Sequence, residues 1–157
     1  MRSIFQSMLS VYVLFTLIGC AEPTFVGEDY LYLEERYDVT IRRDIRGVPH
    51  ILGETNADAA FGFAYAQAED NWQLIEEAMP FYRGNNGLFI GQDGAVTDFL
   101  VHWLGIWQTL DANYEWDLSP DMRAYIEAYA DGLNFYAATH PEAVDERVLP
   151  VTGKDVV

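Results

Sequence analysis

The sequence predicts an α+β fragment, mainly α-helical, with one β-hairpin near its N-terminus. Tyr37, Val39 and Ile41 alternate with Asp38, Thr40 and Arg42, the period-two pattern of a half-buried strand. Phe61, Tyr65, Ala68, Trp72, Ile75, Met79 and Tyr82 follow at steps of three and four, which keeps them on one face of a long helix. Ser119-Pro120-Asp121 is a strong helix start: Ser caps, Pro fits the first position, and Asp suits the dipole.

Each element follows from local chemistry. Residues 1–20 read as an export signal, with Arg2 as a minimal positive start and a mostly apolar run over 8–18. That run is too short to span a bilayer comfortably. It ends Leu17-Ile18-Gly19-Cys20, similar to a bacterial lipobox, so Cys20 is the expected lipidation site. An ordinary cleaved signal with an incidental cysteine is the alternative. Acyl chains contribute about 0.8 kcal/mol per buried CH₂. Ala21 follows Cys20 where an Asp would argue for inner-membrane retention. The expected location is therefore periplasmic, anchored in the outer membrane. Residues 21–36 read as an acidic tether broken by Pro23 and Gly27, with Tyr30, Tyr32 and Leu33 beginning to pack.

The hairpin is expected over 37–53. Asp44 to Gly47 is turn chemistry, with Gly47 free to take a positive φ, and Pro49 suits a strand start or edge. Thr55-Asn56 offers a helix cap with Asp58 in the first turn. The first helix is expected over about 56–83, bent or ended by Pro80. Two glycines make 83–87 a loop. Thr97 is expected to cap a second helix to about 112, apolar at Phe99, Leu100, Trp103, Leu104, Trp107 and Leu110, followed by a connection over 113–118. The third helix, about 119–139, lines one face with Met122, Tyr125, Ile126, Tyr129, Leu133, Tyr136 and Ala137. Gly132 inside it costs about 1 kcal/mol against Ala, which a close helix–backbone contact explains. Thr152 to Asp155 suits one more cap.

The 157 residues have room for one small domain, half of them hydrophobic and 15% aromatic, so the composition is not that of a disordered chain. A formal charge of −16 excludes nucleic acid as a partner and a polybasic membrane-surface role. One cysteine excludes an internal disulfide framework.

The run RRDIRGVPHI and then FGFAYAQAEDNWQLIE resembles the opening of the α-chain in the penicillin acylase family of N-terminal-nucleophile amidohydrolases. Arg43, Asp44, Gly47, Pro49, His50 and Ile51 carry the first part of the match, and Ala68 and Asp70 the second. Asn71, giving AEDN, looks more like the homoserine-lactone and aculeacin branch. LSPDMRAYIEAYADGLNFY resembles a later α-chain element through Ala130, Gly132 and Asn134. The resemblance covers residues 37–157. It implies part of an αββα assembly, with a β-chain as partner and a small-molecule amide as substrate. Catalysis there falls to a β-chain N-terminal Ser beyond Val157, freed by self-cleavage. Its hydroxyl attacks the amide carbonyl, and its own α-amino group, with a pKa of about 8, takes the proton. Backbone and Asn-type donors stabilise the oxyanion. Some members hold Ca²⁺ between the chains, with the α-chain ligand also beyond Val157, so no cofactor is expected within this stretch.

No catalytic residue is therefore assigned here. Ser119 reads as a cap, with no nucleophile elbow around it. His50, His102 and His140 have no metal-ligand spacing. His50 is expected to close the hairpin by hydrogen bonds, with a ligand role as the other reading, and His102 to be a satisfied packing residue. Arg43 and Asp44 either orient the loop by a charge-assisted bond or form a solvated pair. Asp93 and Asp98 do not fit an EF-hand loop, so no metal site is assigned. An acyl pocket must be apolar, and its candidates are Phe81, Tyr82, Trp103 and Trp107. A non-catalytic, lipid-anchored helical interaction protein is the rival reading.

Overall fold

The computed structural model describes residues 25–157. The export signal, Cys20 and the start of the tether lie outside the described residues. A 3-10 turn, Gly27–Tyr30, leads into α1, Leu33–Arg36. Both pack on the third long helix, and Leu33 is fully buried. The segment from residue 27 onward is therefore part of the fold rather than a free tether.

Strands β1, Val39–Arg43, and β2, Pro49–Gly53, pair antiparallel with Ile41 opposite Ile51 and Arg42 opposite His50. The alternation is as the sequence reads it: Val39 and Ile41 are half-buried, Thr40 and Arg42 exposed. Helix α2, Asn56–Arg83, begins with a reciprocal capping box between Thr55 and Asp58. Its break is at Asn71 (φ −162°, ψ 66°), not at Pro80. The Asn71 side chain accepts from the Leu74 amide at 3.4 Å, so it competes with the helix backbone and caps the second segment. Pro80 stays inside the helix, which ends at Gly84 with φ 69°.

A short α3, Gly87–Ile90, falls in the expected loop. The expected second helix is two helices, α4, Ala95–Leu104, and α5, Ile106–Asp117. Gly105 adopts φ 65° between them and turns the chain. Thr97 lies inside α4 and does not cap it; Gly94 holds the cap position. Residues 113–117, expected as connection, belong to α5. Ser119 caps α6, Pro120–Thr139, by accepting from the Met122 amide at 3.2 Å. The chain closes through 3-10 turns and a cis Leu149–Pro150 bond into α7, Gly153–Val156.

The core sits between α2 and α6. Trp72, Met79, Leu133 and Tyr136 meet Val148, Leu149 and Val151 of the C-terminal segment. Leu33, Ala60, Phe61 and Ala128 form a second cluster under the hairpin. The helices approach closely at Gly132, where a Cβ would lie 2.4 Å from the Phe61 carbonyl oxygen. Helix α4 is different: only Val101 of its residues is buried, while Phe99 is 68% and Trp103 71% exposed.

Candidate functional site

The hairpin loop and α2 are joined by one side chain. The Arg43 guanidinium donates to the Gly47 carbonyl at 2.8 Å, the Ala66 carbonyl at 3.2 Å and Glu69 at 3.0 Å, and pairs with Asp70 at 2.8 Å. It does not pair with Asp44, which instead accepts from the Arg46 and Val48 amides at 2.8 and 3.0 Å. The Asp44 carboxylate thus closes the turn in which Gly47 sits at φ 82°. His50 does not close it: its side chain is 68% exposed and its Nε2 lies 3.9 Å from Asp44, beyond hydrogen-bond reach. Of the residues that carry the first motif, Arg43 and Gly47 join Ala66, Glu69 and Asp70 in one bracket between loop and helix, while Asp44 shapes the turn.

Asp58 ties the same hairpin to the start of α2. It accepts from the Thr55 hydroxyl at 2.6 Å, the Thr55 amide at 2.8 Å and the Asp38 amide at 3.0 Å. The Thr55 hydroxyl foremost, with the two amides, holds its carboxyl below the usual range against the opposing effect of burial. A depressed folded pKa stabilises the fold above the unfolded value and loses that effect as pH falls through the folded one. Asp58→Ala should cost about 1–2 kcal/mol at neutral pH. The gap to wild type in urea unfolding should stay constant above about pH 5 and close below about pH 4. A gap that widens in acid would contradict this.

At the other end of the molecule, Asn134 is buried and clamps Val151 from both sides. Its side-chain nitrogen donates to the Val151 carbonyl at 2.7 Å, and its side-chain oxygen accepts from the Val151 amide at 2.8 Å. Tyr37 stacks on Phe61 at 4.4 Å and donates to Asp131 at 2.6 Å. Burial, then this bond, pushes its hydroxyl above the usual tyrosine range. Arg83 makes a fork into the C-terminal segment. It holds Asp155 at 2.7 and 2.9 Å and donates to the Val148 and Pro150 carbonyls, both at 2.9 Å.

Above that fork is an apolar cleft of about 570 Å³. Phe81 and Tyr82 of α2 face Val101 of α4 and Ile106, Trp107 and Leu110 of α5, with Lys154 to Val157 at the base. The cleft brings together three of the aromatic candidates, Phe81, Tyr82 and Trp107. Trp103 is not among its lining residues. The cause is Gly105, which turns the chain between the two tryptophans. Trp107 is fixed by a bond from its indole nitrogen to the Tyr82 carbonyl at 3.1 Å.

Thr139 Oγ1 lies 3.0 Å from His140 Nδ1, but both atoms are engaged in the turn that ends α6, each 3.1 Å from the Tyr136 carbonyl. Ser119 is occupied as a cap. The His102 Nε2 lies 2.9 Å from the Gly84 carbonyl, and His140 stacks on Tyr136 at 4.3 Å. No group of three or more His, Cys, Asp or Glu among the described residues is placed to hold a metal ion. Sequence reasoning missed Arg83, Asp155 and Asp131. Arg83 did carry a signal: it is the only Lys or Arg between Arg46 and Arg123.

The structure is thus a hairpin bracketed onto a kinked helix, which a second helix crosses closely, with an apolar cleft at the far end. The family model for penicillin amidase matches residues 38–153, and the chain belongs to that family. It is 32% identical over 107 residues to the acyl-homoserine lactone acylase PvdQ of Pseudomonas fluorescens strain Pf0-1, covering 62% of this chain and 14% of that protein. The penicillin acylase 2 proenzyme of Pseudomonas sp. strain SE83 is 28% identical over 101 residues, covering 64% of this chain and 13% of that protein. The chain thus spans about one seventh of the length of these curated relatives. A thermostable penicillin G acylase from Alcaligenes faecalis superposes with TM-score 0.60 at 27% identity, over 76% of this chain and 68% of that one. The mainly helical fold with its hairpin is the fold of a penicillin acylase fragment.

Proposed function

We propose that this chain is the α-chain portion of an exported acylase that hydrolyses a linear amide to a carboxylic acid and an amine. The observation that carries the reading is the family match across residues 38–153. The relatives' names, acyl-homoserine lactone acylase and penicillin acylase, point to N-acyl or side-chain acyl amides as the substrate class. The bond-breaking group is an N-terminal Ser on a β-chain that follows this stretch in the full protein. Its hydroxyl attacks the carbonyl, the amine departs with the proton relayed through the α-amino group, and water releases the acid. On its own the described chain supplies the cover and one apolar wall, from Phe81, Tyr82 and Trp107, and is inactive. The exposed apolar side chains of α4, with Trp116 of α5 85% exposed, suit burial against that partner. Cys20 anchors the protein to the outer membrane from the periplasmic side.

The test is the coding sequence downstream of the Val157 codon, followed by expression of the whole. An in-frame or adjacent continuation with a Gly-Ser-Asn-type junction, and amide hydrolysis lost on replacing the junction Ser by Ala, is the expected result. Amide cleavage by the present chain alone would overturn it. A genuine stop with no such partner would do so too, and would leave the lipid-anchored interaction protein as the reading.

A further inference from the structure

Residues 85–104 leave the body of the molecule at Gly84 and return beside it. A Cβ on Gly84 would lie 2.9 Å from Val101 Cγ1 and 3.3 Å from His102 Nε2. The two stems of this excursion therefore stand next to each other. Both junctions are glycines in the left-handed region, Gly84 at φ 69° and Gly105 at φ 65°, where the backbone turns at little steric cost.

Inside the excursion the structure is braced. Both Asp98 carboxylate oxygens accept backbone amides, from Asn86 and Gly87, each at 2.7 Å. Gly94 packs so closely there that a Cβ would lie 2.6 Å from the Gly87 nitrogen. These contacts tie α3 to α4 as one unit. To the body the unit is tied at fewer points, one of them Phe89, which packs partly buried against the main core with the Arg147 guanidinium 4.4 Å from its ring centroid. Val101 is its one buried large apolar residue. His102 Nε2 lies 2.9 Å from the Gly84 carbonyl, and because a carbonyl only accepts, that nitrogen carries the proton. Helix α5, by contrast, is anchored: Tyr114 is buried, Lys154 pairs with Asp111 at 2.6 Å, and Arg123 pairs with Glu115.

We propose that residues 85–104 are a hinged flap whose His102 latch holds Val101 in place as one wall of the apolar cleft. Swinging at Gly84 and Gly105 withdraws Val101 and opens the cleft between the end of α2 and α5, while Asp98 keeps the flap itself intact. His102 is thus a positioning residue for the cleft. The flap follows from the cleft geometry alone, and its test reads thiol exposure rather than catalysis, so it stands or fails apart from the acylase reading.

The test uses the full chain with Cys20→Ser, carrying either Val101→Cys or Val148→Cys. Val148 is 1% exposed in the main core and reports global opening. The expected result is that the Val101→Cys thiol reacts with a disulfide reagent at least about tenfold faster than the Val148→Cys thiol, because sub-global opening is commoner than unfolding. His102→Ala should raise the rate of the flap thiol about tenfold further without changing that of the core thiol. His102→Gln, whose amide can donate to the same carbonyl, should restore the wild-type ratio. Equal rates for the two thiols would overturn the proposal. So would a ratio unmoved by His102→Ala, or one that His102→Gln fails to restore.

Discussion

Replacing Arg83 by Ala is expected to lower the unfolding free energy by about 3–5 kcal/mol, the range for breaking a buried ion pair by removing one partner. The Asp155 side chain is only 3% exposed, and Arg83 19%. Without the guanidinium the Asp155 carboxylate remains buried with its charge uncompensated, and the Val148 and Pro150 carbonyls lose their donor. Arg83→Met keeps most of the apolar stem and loses the charge, so it should cost nearly as much if the ion pair governs. Arg83→Lys restores the charge at one point and not the fork, and cannot reach two carbonyls and both carboxylate oxygens at once. It should recover less than half of the loss. Urea unfolding followed by circular dichroism, read as midpoint and slope, separates the three variants. A loss below about 1 kcal/mol for Arg83→Ala would place the pair in the class of exposed bridges.

What the sequence made legible was whatever repeats or caps. The strand alternation at 37–42, the Thr55 cap with Asp58, and Ser119-Pro120-Asp121 each state their geometry within a few residues. A glycine in the middle of α6 announced a close contact because nothing else explains tolerating it. Features that depend on distant partners were not legible. Arg83 and Asp155 are far apart in sequence, and no local pattern joins them. Asp98, which fits no EF-hand loop, has no role legible in the sequence because its partners are backbone amides, which have no signature. Arg43 looked like the partner of its neighbour Asp44, yet a strand sends adjacent side chains to opposite faces. Trp103 and Trp107 shared one helical stripe on paper. The stripe assumes an unbroken helix, and Gly105 breaks it between them. The bend of α2 was assigned to Pro80 because proline removes a donor; an asparagine whose own side chain supplies the next cap proved stronger.

The apolar stripes are buried at Phe61, Trp72, Met79, Ile126, Leu133 and Tyr136 but not along their whole length. Tyr82, Met122 and Tyr125 lie on them yet are 60%, 48% and 40% exposed. Beside those large residues the seam where α2 and α6 meet is filled by small ones, Ala68 and Ala137 on the stripes and Ala64 and Ala128 off them, all at 0%. Small side chains let two helix backbones approach, and at Gly132 there is no room for a Cβ.

Gly132→Ala sets two effects of opposite sign against each other. Helix propensity alone favours alanine by about 1 kcal/mol. The added methyl, however, would sit 2.4 Å from the Phe61 carbonyl oxygen and 2.9 Å from Ala64 Cβ. The first of these is main chain in the first half of α2 and cannot rotate away. Relief requires the two helices to move apart, which loosens the whole Ala-lined seam and the stacking of Phe61 on Tyr37. Overpacking of this kind costs about 1–3 kcal/mol and occasionally more, and a backbone obstacle belongs at the upper end. The net expectation is a loss of about 2 kcal/mol for Ala and a larger one for Val, whose branched side chain meets the same wall. The control is Ala124→Gly, at an exposed position on the same helix, where propensity acts without the clash and should cost about 1 kcal/mol. A Gly132→Ala variant as stable as wild type, or more so, would mean that α2 and α6 do not cross at this distance.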